Sequence, residues 1–446
     1  MAETATGAWR NWAGTATATP ARLVRPTDPG EIADAVTDAE RDGLPVRAIG
    51  AGHSFTSVAA TDGVAIDLSR WTGIAAADAA TGLVTVRAGT TLHDLNASLD
   101  QLGLAMTNLG DIDAQTIAGA VSTGTHGTGA RYGGIATQIA ALELVLADGS
   151  LVSCSPTERP ELFEAARIGL GALGVLSTVT LRCEPAFVLA ADERPEPIDG
   201  LLERFDHLAD THDHVEFHWF PYGRKALLKR NDRQPAGTQA APLSPLRHYL
   251  EYELLENVTL AGMSRLGRAV PRLVRPLHRT VDAVLSARTY SDSSHRVFVS
   301  TRNVRFVESE YALPRDTLVD VLGELRGQIP KLADPVMFPL EVRVAAADDV
   351  WLSTAYGRDS AYIAVHQYLG MPYRQFFDLF ESITANVGGR PHWGKLHSLG
   401  AEQLAELYPR FGDFRDVREA VDPAGRFTNP YTARVIGPCG ERHDER

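Results

Sequence analysis

Val46-Arg47-Ala48-Ile49-Gly50-Ala51-Gly52-His53-Ser54-Phe55 is the stretch that decides how the first third of this chain folds. A short apolar run ends in two glycines. That pattern is a strand entering a loop that offers backbone N–H groups to an anion, or else a plain tight turn. A doubly wound dinucleotide fold would put its third glycine at Phe55 and a helix directly after it. The following Thr56-Ser57-Val58-Ala59-Ala60-Thr61-Asp62-Gly63 is a poor helix former, so that fold is excluded. The glycine turn survives.

Working outward, Gly30 to Gly43 carries Ile32, Ala35, Val36 and Ala39 at helical spacing and stops at a C-capping glycine. Leu44 to Ile49 and Gly63 to Leu68 read as strands, and Leu83 to Gly103 as strand, turn and helix. Asp148-Gly149 between two apolar runs predicts a hairpin over Ala141 to Ser153, and Val175 to Arg182 a further strand. Two more glycine-rich loops fall in this region. Ile117-Ala118-Gly119-Ala120-Val121-Ser122-Thr123-Gly124-Thr125-His126-Gly127-Thr128-Gly129 combines glycines with the hydroxyls of Ser122, Thr123, Thr125 and Thr128. Gly169-Leu170-Gly171-Ala172-Leu173-Gly174 is the third. Glycine lets backbone approach an anion closely, and three such loops beside strands point to a large phosphorylated cofactor.

From about Phe187 the texture changes to longer alternating strands, His214 to Tyr222 and His295 to Tyr311, separated by a helical Leu/Arg-rich segment from Leu246 to Ala287. Strands Val336 to Ala345 and Ala361 to Tyr368 alternate with helices Thr317 to Ile329 and Tyr373 to Val387. The expectation is an antiparallel sheet with helices on one face. Arg233 to Ser244 reads as a loop. The chain of 446 residues has 44% hydrophobic and 22% charged residues and a net charge of −13. That is globular composition with the wrong charge balance for a nucleic-acid binder. Cys154, Cys183 and Cys439 form neither a disulfide framework nor a metal knuckle. No secretory leader and no apolar run of membrane-spanning length is present, so the expected location is cytoplasmic.

Period-2 alternation in Val336-Met337-Phe338-Pro339-Leu340-Glu341-Val342-Arg343-Val344 places Val336, Phe338, Leu340, Val342 and Val344 on one face and Glu341 with Arg343 on the other. That pair reads as a site or as a solvated surface ion pair. His366 shares a strand face with Tyr362, Ala364 and Tyr368, either facing a ligand or packed in a core. His212, His214 and His218, with Glu216, share one side of a strand and read as a polar sheet face or a metal cluster. No metal is expected.

Together, Val46 to Phe55, Gly119 to Gly133, Gly169-Leu170-Gly171-Ala172-Leu173-Gly174-Val175-Leu176-Ser177-Thr178-Val179-Thr180-Leu181 and His392-Trp393-Gly394-Lys395 resemble the vanillyl-alcohol-oxidase type of FAD flavoprotein. Within it they resemble the aldonolactone oxidase branch, which includes L-gulonolactone, D-arabinonolactone and L-galactonolactone oxidoreductases and alditol oxidases. The resemblance runs from Trp12 to Tyr431. It implies a two-domain α+β flavoprotein: an FAD-binding domain over 1–184, a substrate domain on a large antiparallel sheet over 185–400, and a segment over 401–446 returning to the first. It implies FAD contacts from Arg47, Ala48, Ile49, Gly50, Ala51, Gly52, His53 and Ser54, from Gly119, Ser122, Thr123, Gly124, Thr125, His126, Gly127 and Thr128, and from Gly174 and Val175. His53 matches the histidine that carries the flavin covalently. Glu341, Arg343 and Lys395 match the catalytic positions, and Thr116 and His366 the substrate contacts. The implied reaction is oxidation of a carbinol in a sugar 1,4-lactone such as L-gulono- or D-arabinono-1,4-lactone, by hydride transfer to flavin N5, with electrons passing to O2 or another acceptor. An alditol such as xylitol or sorbitol is the alternative substrate. Thr116, bulkier than the serine of alditol oxidases, and His366 favour the lactone.

Overall fold

A computed structural model describes residues 7–249, 257–300 and 303–439. Strand β1 (Arg22–Val24) leads to helix α1 (Pro29–Arg41), started by Pro29 and by the Asp28 carboxylate accepting from the Glu31 N–H. Strands β2 (Val46–Ile49) and β3 (Val64–Asp67) complete a parallel three-stranded sheet ordered β1-β3-β2. Then come β4 (Ile74–Asp78), β5 (Leu83–Arg87), α2 (Leu92–Gln101), α3 (Ile117–Ser122), β6 (Ile139–Val145), β7 (Leu151–Cys154), α4 (Pro160–Ala166) and β8 (Val175–Arg182). The five strands pair in the order β7-β6-β8-β5-β4. The hairpin forms about Asp148-Gly149, with Gly149 at φ +81°, a left-handed value that suits glycine.

The second half is built on β9 (Val188–Pro197), α5 (Phe205–Thr211), β10 (His214–Trp219), β11 (Lys225–Arg233), α6 (Thr259–Ala269), α7 (Val274–Val284), β12 (Arg288–Ser293), β13 (Phe306–Pro314), α8 (Leu318–Gln328), β14 (Leu340–Ala345), β15 (Ser360–Tyr368), α9 (Arg374–Ala385) and β16 (Arg390–Pro391). These strands make one antiparallel eight-stranded sheet ordered β12-β9-β11-β10-β14-β15-β13-β16. Phe217, Leu228, Val342, Val344 and Ile363 face a core with Phe205, Leu318, Leu322 and Phe380 of the covering helices. The opposite face is polar. Helices α10 (Ala401–Leu407), α11 (Phe411–Val421) and α12 (Pro430–Ile436) then send Phe414, Val435 and Ile436 into the core that holds Val46, Val84 and Leu142.

Two sequence expectations are corrected. Ser294–Phe298 is a short helix and the strand begins only at Phe306; the Phe298 ring packs edge-on against His214, 4.8 Å between centroids, which holds this stretch off the sheet. The alternation in Val336 to Val344 also starts late. Pro339 has no N–H to give a ladder, so pairing begins at Leu340, and Phe338 turns to the polar side.

Arg47 ties these parts together. Its buried guanidinium donates to the carbonyls of Leu170 (2.7 Å), Gly171 (2.9 Å), Phe427 (2.8 Å) and Val58. Burial and the charge of Arg418 lower its pKa to about 10, so it remains cationic at neutral pH. Replacing Arg47 with Met orphans several buried carbonyls. The expected cost is about 2 kcal/mol or more, read as a lower thermal midpoint and weaker FAD retention. An unchanged midpoint would show that the staple is dispensable.

Candidate active site

β2 ends in Gly50–Ser54, whose backbone forms one wall of a cleft with about 990 Å³ of empty space. Gly119, Ser122 and Thr123 from α3, together with Gly169, Gly171 and Gly174, face it. A Cβ on Gly50 would stand 2.6 Å from Thr116 Oγ1, and Gly52 and Gly171 have φ of +71° and +62°. The close packing therefore requires glycine. Leu144, Leu170, Leu173 and Leu176 supply an apolar floor. An elongated cleft with backbone walls and an apolar floor fits a dinucleotide: N–H groups for the diphosphate, apolar contacts for the rings. The residues present therefore fit FAD.

All eight expected positions from Arg47 to Ser54 line this cleft, as do Gly119, Ser122, Thr123 and Gly174. The rest of the expected set does not. Gly124, Thr125 and His126 line a small separate cavity behind it. Gly127 packs against Leu109, and Thr128 donates to the Val215 carbonyl at 2.5 Å and accepts from the Val344 N–H at 3.2 Å. The second half of that loop is thus committed to the large sheet. Val175 points into the core, and its neighbour Leu176 lines the cleft. Thr116 lies in the cleft. Its hydroxyl accepts from Gly119 N–H at 3.2 Å as the cap of α3.

A second cavity, with about 1080 Å³ of empty space, lies between this cleft and the polar face of the sheet. The two share His53, Ser54, Gln115 and Thr123 as lining residues and are therefore adjacent. The His53 ring stacks on Trp12, 5.7 Å between centroids. Burial and the nearby Lys395 charge lower its pKa, which favours neutral imidazole. Glu341, Arg343, Lys395 and His366 all line this cavity, as do Phe338 and two carboxylates that sequence reasoning passed over, Glu308 and Glu310. The signal for them was present: they alternate in Val307-Glu308-Ser309-Glu310-Tyr311 with the same period as Glu341 and Arg343. Register aligns the face in rows, His218 opposite Glu341, Glu341 opposite Ala364, Ala364 opposite Glu310, with Glu308 opposite His366.

The charges are buried and paired. Arg343 contacts Glu341, Glu216 (2.9 Å) and Asp111 (3.3 Å), and Lys229 lies 3.4 Å from Glu216. Lys395 Nζ is 2.5 Å from Glu308 and 3.9 Å from Glu310. Burial alone would lower the pKa of Arg343, but Glu341, Glu216 and Asp111 outweigh it and raise it well above normal. Burial likewise opposes the charge on Glu216, Glu308 and Glu310, yet their cationic neighbours hold all three below the usual carboxylate range. Lys395 is raised because Glu308 and Glu310 outweigh its burial.

Among the described residues, two groups of potential ligand atoms lie within 4.8 Å of one another: Glu216 with His218 and Glu341, and His126 with Glu310 and His392. The Arg343 guanidinium contacts both carboxylates of the first group. In the second, His392 Nδ1 accepts from the Gly394 N–H at 3.0 Å, so its neutral ring carries the proton on Nε2 and has no lone pair left for a metal. Burial pushes the His392 pKa down to about 4. His214 Nδ1 bonds the Thr128 carbonyl and His212 the Asp232 carboxylate, so the three strand histidines do not converge.

Residues 179–435 match the family described as D-arabinono-1,4-lactone oxidase, and residues 20–155 match an FAD-binding domain. L-gulono-1,4-lactone dehydrogenase of Mycobacterium tuberculosis is 42% identical over 96% of this chain and 99% of its own. L-gulonolactone oxidase of Mus musculus is 33% identical over 96% and 98%, and an alditol oxidase of a Streptomyces species 32% over the same shares. A solved cholesterol oxidase from Brevibacterium sterolicum superposes with a TM-score of 0.84 at 16% identity, covering 98% of both chains, which shows the same two-domain fold. No helix among the described residues is long and apolar enough to cross a membrane. With its FAD-binding cleft beside a charged cavity on the large sheet, the chain belongs to the aldonolactone oxidase family of FAD-linked oxidoreductases.

Proposed function

We propose that this protein oxidises a carbinol of a sugar 1,4-lactone of the L-gulono- or D-arabinono- type, using FAD attached covalently at His53. The observation that carries the reading is that the cleft adjoins, across His53, Ser54, Gln115 and Thr123, a cavity whose wall presents Glu341, Arg343, His366 and Lys395. In this reading residues 1–184 and 401–446 hold the cofactor and 185–400 the substrate. FAD, when bound, supplies the hydride acceptor. Glu341 accepts hydrogen bonds from substrate hydroxyls, and Arg343 holds the substrate while its permanent charge stabilises negative charge developing nearby. Lys395, kept protonated by Glu308, donates to the reacting oxygen. A lactone carbonyl suits this short, cation-rich wall better than the extended hydroxyl slot an open-chain alditol requires.

Reduction of the flavin without oxygen, followed by absorbance, tests the substrate. L-gulono- or D-arabinono-1,4-lactone should bleach it with a higher kcat/KM than xylitol or sorbitol. A tenfold preference for xylitol, about 1.4 kcal/mol in the transition state, would decide for the alditol.

Attachment at His53 is read separately. Acid-denatured protein should keep its yellow chromophore, and His53→Ala should release it; free FAD in the wild-type supernatant would refute the bond. Removing the charge with Arg343→Ala should slow flavin reduction by about 10²-fold or more while FAD stays bound. An unaltered rate would reduce Arg343 to a structural ion pair.

A further inference from the structure

Glu308 is paired with a histidine that itself lines the cavity. His366 Nδ1 lies 2.9 Å from the Pro339 carbonyl, which has no proton to give, so Nδ1 must carry the hydrogen. Were the ring neutral, its Nε2 would aim a lone pair at Glu308 Oε1, 3.3 Å away. Two acceptors do not face each other in a buried site without a proton between them. The pair therefore holds that proton, as imidazolium with carboxylate. The contacts are repeated one step along β13, where His126 Nδ1 lies 2.9 Å from the Gly127 carbonyl and its Nε2 3.2 Å from Glu310 Oε1.

Both N–H groups of His366 are thus committed, one to Pro339 and one to Glu308, and neither remains for a substrate. Glu308 is the lone-pair acceptor on this part of the wall, and its other oxygen lies 2.5 Å from Lys395 Nζ. Glu341, by contrast, is tied to a guanidinium that cannot change its proton count. Glu310 is coupled to His126, which stacks on Tyr362 at 3.8 Å and does not line the cavity.

Resting on the oxidation reading above, we propose that Glu308 is the catalytic proton acceptor and that His366 serves it as a charge partner, not as a hydrogen-bond donor to substrate. As the carbinol C–H bond breaks and its hydride passes to FAD, the O–H bond breaks and its proton passes to the Glu308 carboxylate, leaving a carbonyl. The alcohol loses two electrons and two hydrogens, one as hydride and one as proton. A hydroxyl losing hydride from its own carbon becomes strongly acidic, so a carboxylate suffices as base even when cations hold its pKa low. The groups acting on His366 are Glu308 from β13, Glu341 from β14 with its partner Arg343, and Lys395 through Glu308. Burial opposes a charge on the ring, but the two carboxylates outweigh it and raise its pKa.

Nitrogen NMR of histidine-labelled, FAD-loaded protein without substrate reads the proton state directly. Wild type should show both His366 nitrogens protonated through neutral pH, and Glu308→Gln should leave only Nδ1 protonated. Oxygen-free reduction by the lactone should fall about 10²-fold or more in Glu308→Gln, and added formate should restore part of the rate to Glu308→Ala. Formate replaces a missing base but would not repair a folding defect. A neutral His366 in the wild type, or a Glu308→Gln protein reduced at the wild-type rate, overturns the assignment. Failure of the substrate reading shows differently, as a wild-type flavin that no sugar lactone reduces.

Discussion

Burying carboxylates is the constraint that organises this protein. Glu216, Glu308, Glu310 and Glu341 all project from one face of one sheet, and each is nearly inaccessible to water. An ionised group in such a place persists only when a partner and hydrogen bonds replace its hydration. Arg343, Lys229 and Lys395 provide that compensation, and His366 and His126 lie against Glu308 and Glu310. Removing one member leaves its partner charged and buried, which costs far more than a surface pair would. The network is therefore a structural commitment as well as a chemical one.

That commitment depends on the other side of the sheet. Val342, Val344 and Ile363 anchor the same strands in an apolar core beneath α8 and α9, so the strand positions that carry the charges have little freedom to shift. Register does the rest. Because β14 lies between β10 and β15, Glu341 is flanked by His218 on one side and Ala364 on the other. Ala364 is small, and its row continues to Glu310 on β13. Charges of opposite sign thus come from strands that are distant in sequence and adjacent in the sheet.

The cleft is built on a different principle. Its walls are main chain, and their closeness depends on the absence of Cβ atoms at Gly50, Gly119, Gly171 and Gly174. Arg47 ties two of the contributing segments, at Val58 and at Leu170-Gly171, to the C-terminal segment at Phe427 by donating to their carbonyls, so a residue that lines the cleft also braces it. Thr128 performs the corresponding task toward the sheet, joining its loop to Val215 and Val344. The cofactor site and the charged wall are consequently fixed relative to each other by hydrogen bonds from the loop that sequence reading assigned wholly to the cofactor.

What the sequence by itself determined follows from local rules. Glycine clusters after strands marked the cleft, period 2 put Glu341 and Arg343 on one face, and a hairpin formed where Asp148-Gly149 predicted it, because each depends on residues within a few positions of one another. Only the tertiary structure decided which half of the 117–129 loop meets the cleft, that Thr116 caps a helix, and that Phe338 faces the cavity. It also decided that Glu308 and Glu310 are site residues. Their alternation was visible, but a carboxylate on a strand is ordinary until its neighbours are known. Those neighbours, His366, His126 and Lys395, are supplied by strand order and by a loop from the other half of the molecule. The pairing of buried charge is a long-range requirement, and it is met by sheet order and register, which no short window of sequence encodes.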